Sequence, residues 1–378
     1  MREPSAGEVG QTVPPVPLFD HRRRVELLQG LMADRGVDAM LLAVGADLPY
    51  FTGYEAMASE RLTMAVIRPD ATPTLVIPHL EVPRVEAEGI VVEGWGETDD
   101  PVERVARLCR GAATVAIGDQ TWSVFLVRLL GSLPNAVWSP ASEITSVLRV
   151  RKDPAEIGEL RMAAAAADRV LERVADEIGF EGRRETEVAT DLARMTIEEG
   201  HDTSEFSIVA SGPNAASPHH DPGDRVIIRG DLVVCDFGGK AGGYHSDVTR
   251  TFSVGDPDPL QREIHAVVAA ANEAGRAASR PGVACQEVDR AARRVVVEAG
   301  YGEYFMHRTG HGIGLDVHEH PYLVEGNQTL LEEGMTFSVE PGIYLPGRFG
   351  VRIEDIVACV GDGADDLNQA PRRLVVVG

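Results

Sequence analysis

Residues His307 to His320, "HRTGHGIGLDVHEH", hold four of the chain's eleven histidines, with glycines spread between them. Imidazoles at that density either decorate a polar surface loop or converge on a metal ion or a substrate. Several carboxylates pose the same alternative. "GDLVVCDFGG" reads as a strand whose alternation puts Leu232, Val234 and Asp236 on one face. A carboxylate on an apolar face needs a partner, because burying an unpaired charge is costly. "GYHSDVTRTFSV" reads as a second strand, with Asp247, Thr249 and Thr251 sharing a face. "MTFSVEPGIY" places Glu340 at a strand end beside Pro341, and "GVRIEDIVACV" reads as one strand carrying Arg352, Glu354 and Ile356 on one face. Taken singly, each carboxylate reads as a solvated strand position and His311 as a loop histidine. Taken jointly, two aspartates, two glutamates and one histidine in apolar or glycine-rich settings form an oxygen-dominated ligand set. Such a set can hold two divalent ions about 3.5 Å apart through bridging carboxylates and generate a hydroxide. One nitrogen among many oxygens suits Mn²⁺ or Co²⁺, with Zn²⁺ or Fe²⁺ as alternatives, better than a thiolate zinc site.

The elements that must position these residues fall into two domains, as 378 residues lead one to expect. The balance of 36 basic against 59 acidic residues gives a net charge of −23, which repels phosphate backbones and anionic lipid. Nucleic acid and membrane are therefore excluded as expected partners, and no apolar run approaches membrane-spanning length. The four cysteines lie far apart with no Cys-x-x-Cys, which points to buried free thiols in a reducing cytosol. Residues 1–19 are polar and proline-rich, lack a signal-peptide apolar core, and read as a flexible arm. From Asp20, "HRRRVELLQGLMADRG" predicts a helix stopped by Gly36, and "VDAMLLAVG", "LTMAVIRP", "TLVIPH" and "TVAIGD" predict short buried strands. Residues 20–149 are thus a small α/β domain without a catalytic constellation.

The second domain, residues 150–378, opens on a strong helix start. Asp153 is the N-cap, Pro154 stands at the first helical position and Glu156 completes a capping box. Ile157, Leu160, Ala164, Ala167, Leu171, Val174 and Ile178 then recur along one helix face. "TEVATDLARMTIEEGH" and "QEVDRAARRVVVEAGY" echo one another at an offset of 100 residues. That echo is either a duplication or the chance likeness of two helices ending in glycine.

Asp236, Asp247, His311, Glu340 and Glu354 stand in the strings "DFGG", "GYHSDVTRTF", "HRTGHGIGLDVHE", "SVEPGIY" and "VRIEDIV". In this order and these contexts the sequence resembles the M24 metallopeptidases, from about Arg149 to the end. Its first domain is similar in layout to the creatinase-type N-terminal domain of the prolidase and aminopeptidase P branch. The resemblance implies an α/β creatinase-like domain followed by an α+β pita-bread domain of pseudo-symmetric halves, with a curved antiparallel sheet. It makes the five residues ligands of two divalent ions per chain, most simply Mn²⁺. Catalytic roles fall to His219, on a loop that reaches the substrate, to His318, which contacts the scissile carbonyl oxygen, and to Glu340, which also shuttles the proton. His220, adjacent in sequence, competes with His219 for its role. His307 and Arg352 are implied to line the substrate site, Arg352 more as an orienting group, and Tyr244 either supports the ligands or packs. The expected activity is hydrolysis of the Xaa-Pro bond of dipeptides by a metal-bridging hydroxide, in a cytoplasmic homodimer. Aminopeptidase P, acting on longer peptides, is the alternative, and a non-catalytic pita-bread binding protein is a third reading. Methionine aminopeptidases typically lack the first domain, and creatinase lacks the carboxylates present here.

Overall fold

The structure is a computed structural model that describes residues 20–86 and 88–378; the arm expected over residues 1–19 lies outside the described residues. The chain divides into two compact units between Leu148 and Arg149. Among the described residues no helix is long and apolar enough to cross a membrane. All four cysteines are buried and unpaired.

The first unit is built on a six-stranded mixed sheet. Its strands run in the order Val91–Trp95, Thr74–Pro78, Met64–Ile67, Ala39–Leu42, Thr114–Ile117, Val137–Pro140. The four inner strands are the four apolar runs read from the sequence. The two edge strands are partly exposed, so their residues are too mixed to read as buried runs. The expected helix forms over His21–Arg35, with the Asp20 side chain accepting from the Arg23 N–H and Gly36 in the left-handed conformation that ends it.

The second unit repeats itself. Its first half carries the helices Pro154–Glu177 and Glu185–Glu198 against strands ordered Val375–Val377, Val248–Val254, Leu232–Ala241, Thr203–Ser211. The second half carries the helices Pro259–Ala278 and Cys285–Glu298 against Glu319–Leu323, Gly310–Gly312, Thr336–Val339, Asp355–Val360, Gly363–Asp366. The capping box at Asp153 forms as read, and Asp258 and Gln261 form another at the start of the equivalent long helix. Just before each shorter helix, Arg184 bridges Val226 and Ala284 bridges Leu330. The echo in sequence therefore extends to caps, helices and bridges that chance likeness of two helices does not supply. Apolar residues of the first half, among them Val170, Val174, Leu192, Met195, Val233 and Phe252, form one core. Ile264, Val268, Ala292 and Val296 anchor a core in the second.

One expectation fails in a way that matters for the site. "GVRIEDIVACV" is not a single strand. Phe349–Arg352 pairs with Gly342–Leu345 as a two-stranded ribbon, whereas Asp355–Val360 joins the second five-stranded sheet. Glu354 sits at the break and bridges Thr249 of the first sheet. The antiparallel layer is thus interrupted between the halves, and Glu354 lies at the crossing.

Candidate metal centre and active site

Register delivers the first two carboxylates together. Asp236 lies directly opposite Thr249 in the antiparallel pairing of Leu232–Ala241 with Val248–Val254, so the two share a face. Asp247 immediately precedes the second of these strands, two residues from Thr249. Thr249 then reaches across to the other half: its hydroxyl donates to Glu354 Oε2 at 2.7 Å, and its carbonyl accepts from the Glu354 N–H at 3.1 Å. Asp247, His311 and Glu354 each offer a ligand atom within 4.8 Å of the others. His311 Nε2 lies 3.6 Å from Asp247 Oδ2 and 3.5 Å from Glu340 Oε1, and Ser338 Oγ donates to that same Glu340 oxygen at 3.2 Å. The five expected ligands are brought into one network: Asp247, His311, Glu340 and Glu354 by these short approaches, Asp236 through Thr249 and Arg352.

His311 is aimed by its neighbours. Its Nδ1 is 3.1 Å from the Gly312 carbonyl, which only accepts, so Nδ1–H donates and the Nε2 lone pair faces the carboxylates. The glycines on either side of His311 are set by packing. A Cβ at Gly310 or Gly312 would collide with the backbone carbonyl of Ser338 or His320, and only glycine lets the short strand lie between its neighbours.

Burial and mutual repulsion dominate the electrostatics of the cluster. Burial, and then the charges of Asp236 and Glu340, push the Asp247 carboxyl well above its ordinary range. Burial and the Asp247 charge do the same to Glu354, and burial brings Glu340 up to about 7 against the pull of Arg352. Burial, reinforced by His318, lowers His311 to about 3, leaving it a neutral donor. Asp236 Oδ1 is buried without a hydrogen-bond partner, which native structures seldom tolerate. A group of gathered carboxylates, one neutral imidazole and one orphaned carboxylate oxygen fits divalent cations.

Arg352, expected among the substrate-binding residues, is 3% exposed. It donates from Nη2 to Asp236 Oδ2, from Nε to Thr249 Oγ1 at 3.1 Å, and from Nη1 to Tyr344 OH at 2.9 Å and Pro218 O at 3.2 Å. These contacts brace Asp236. His307, also expected to meet substrate, has both ring nitrogens engaged: Nδ1 donates to Arg308 O at 2.7 Å, and Nε2 accepts from Tyr344 OH at 2.8 Å. Burial lowers it to about 4, with Arg352 adding to the effect.

His318 packs edge-on against His311, ring centres 4.1 Å apart at 83°. Its ring is exposed, and among the described residues its nitrogens have no hydrogen-bond partner. His219 is exposed as well, and its charge reaches both His307 and His318, whose pKa values it lowers after the larger effect of burial. His220 instead points to Glu185 Oε2 at 3.2 Å. Tyr244 donates to Glu156 Oε1 at 2.7 Å and so supports the helix cap. His245 is buried against the Gly314 carbonyl, and His320 stacks obliquely on Tyr322. Sequence reasoning gave no role to Thr249, Ser338 or Tyr344. Thr249 carried a signal, since it shares a strand face with Asp247; the other two carried none that spacing could reveal.

Carboxylates gathered around one neutral imidazole, where the two halves of a repeated α+β unit meet, define a metal-dependent hydrolytic centre. The chain belongs to metallopeptidase family M24, whose pattern matches residues 158–360, and the creatinase/prolidase N-terminal domain matches residues 24–151. The architecture is accordingly a creatinase-type α/β domain followed by an α+β pita-bread domain. Over 367 residues the chain is 44% identical to a probable dipeptidase PepE of Mycobacterium tuberculosis, covering 94% of this chain and 96% of that one. It is 37% identical to an Xaa-Pro dipeptidase of Lactobacillus helveticus, covering 93% and 98%. The crystal structure of a prolidase from Thermococcus sibiricus superposes with a TM-score of 0.91 at 36% identity, covering 96% and 100%.

Proposed function

We propose that the protein is a metal-dependent Xaa-Pro dipeptidase that releases proline from dipeptides. The observation that carries this reading is the buried cluster of Asp236, Asp247, His311, Glu340 and Glu354 with its orphaned Asp236 oxygen. Support for the substrate class comes from the relatives named Xaa-Pro dipeptidase, which match nearly the whole chain. In this reading residues 20–149 are the N-terminal domain and residues 150–378 the catalytic one, working as a cytoplasmic homodimer.

Those five residues would hold two divalent ions, Mn²⁺ being the one best suited to the donor set. Bound there, such ions polarise the scissile carbonyl and acidify a water molecule. Glu340 takes the proton of the attacking water and passes it toward the leaving proline nitrogen. His318 donates from a ring nitrogen to the oxygen that gains charge as the carbonyl becomes tetrahedral. His219 contacts the substrate from its loop. His307, held by Tyr344, and Arg352, held against Asp236, keep the walls of the site in register.

Dialysis against a chelator is expected to abolish proline release from Ala-Pro, and Mn²⁺ is expected to restore it at about two ions per chain. Atomic absorption of the repleted protein, run beside the assay, checks both halves of this expectation. Full activity in the metal-depleted protein would refute the reading.

A further inference from the structure

Glu185 opens the helix Glu185–Glu198 and is 0% exposed. Burial opposes its ionisation, but the Ser211 hydroxyl and amide, the Gly223 amide and the Asn214 side chain outweigh it and hold the carboxyl below its ordinary range. The donors are all from one segment. Ser211 N and Oγ each donate to Oε1 at 2.7 Å, and Asn214 Nδ2 reaches both oxygens at 3.1 and 3.0 Å. Gly223 N donates to Oε2 at 3.1 Å, and His220 Nε2 lies 3.2 Å from that oxygen.

A glutamate at a helix start ordinarily interacts with the first turn of its own helix. Glu185 gathers the two ends of the 211–223 segment, and the residue beside His219, onto one carboxylate. Without such tethers a connecting segment of this length would sample more conformations, each with its own position for the histidine. The far side of the segment is held as well, where Pro218 O accepts from Arg352 Nη1 at 3.2 Å. His219 stands between these two anchorages with its ring exposed.

We infer that Glu185 is a positioning residue for hydrolysis: it closes the 211–223 segment into a ring that holds His219 at the substrate, touching neither metal nor substrate itself. The inference rests on the proposed substrate contact of His219. It predicts a loss that depends on His219.

Glu185→Gln tests it. The amide keeps the size, but it places a donor where the segment offers donors. kcat/KM for Ala-Pro is expected to fall about 10²-fold, the usual consequence of displacing a reacting group by about 1 Å. Metal content should stay as in the unaltered protein. Added to His219→Ala, the same change should cause no further loss, because a residue acting through His219 has nothing left to act on. Asn214→Ala removes one tether from a partly exposed position and should give a smaller loss with the same dependence on His219, which keeps the test available if Glu185→Gln folds poorly. Losses that multiply in the double variants, or metal lost from either single variant, would overturn the inference while leaving the dipeptidase reading in place. An unchanged kcat/KM in His219→Ala would remove the role of His219 and the inference with it.

Discussion

Asp236→Asn is expected to lower hydrolysis of Ala-Pro by more than about 10²-fold and to weaken metal uptake, with the chain still folded. Changes in groups that merely support a metal ligand cost about 10- to 100-fold, and Asp236 is proposed as a ligand. Its two oxygens divide the work: Oδ2 accepts from Arg352 and Oδ1 is the buried oxygen without a partner. Asparagine retains an acceptor for the Arg352 fork, so the buried guanidinium keeps a partner, but the ligand charge is gone. Asp236→Ala is different in kind. It strands Arg352, and breaking a buried pair from one side costs about 3–5 kcal/mol, so that variant should lose stability as well. Metal analysis and a thermal melt beside the rate measurement separate the two. Near-normal turnover in Asp236→Asn, with metal bound, would mean that Asp236 is no ligand.

His318→Ala should depress turnover by about 10²–10³, the typical loss of one donor to a developing oxyanion, and leave metal content unchanged. The ring packs on His311 at its edge, yet among the described residues its nitrogens bond to nothing. His307 is the instructive contrast, because both of its nitrogens are committed to protein partners. Among the described residues, uncommitted ring nitrogens are therefore found on His318 and not on His307. A metal-free His318→Ala protein would make His318 a ligand and remove its proposed role.

Much of this centre was legible because strand alternation is short-range. Asp236 and Thr249 share a face in any register that buries Leu232 and Val234, and the Asp153 capping box needs only four residues to specify. The break at Glu354 was not legible. Alternation lapses only where Glu354 and Asp355 stand side by side, no glycine or proline marks a turn, and the change of sheet depends on tertiary partners, Thr249 for Glu354 and the strand Thr336–Val339 for Asp355–Val360. The chain from Arg352 through Tyr344 to His307 was hidden for the same reason, being made by tertiary contacts alone. Glu185 stands one residue ahead of the echoing string, and nothing in its spacing connects it to the 211–223 segment.

The most direct measurement is proline release from Ala-Pro by the Mn²⁺-loaded protein, with Ala-Pro-Ala and Ala-Ala in parallel. A Xaa-Pro dipeptidase cleaves Ala-Pro and leaves the other two essentially intact. Preference for Ala-Pro-Ala, or silence on all three with metal bound, would contradict it.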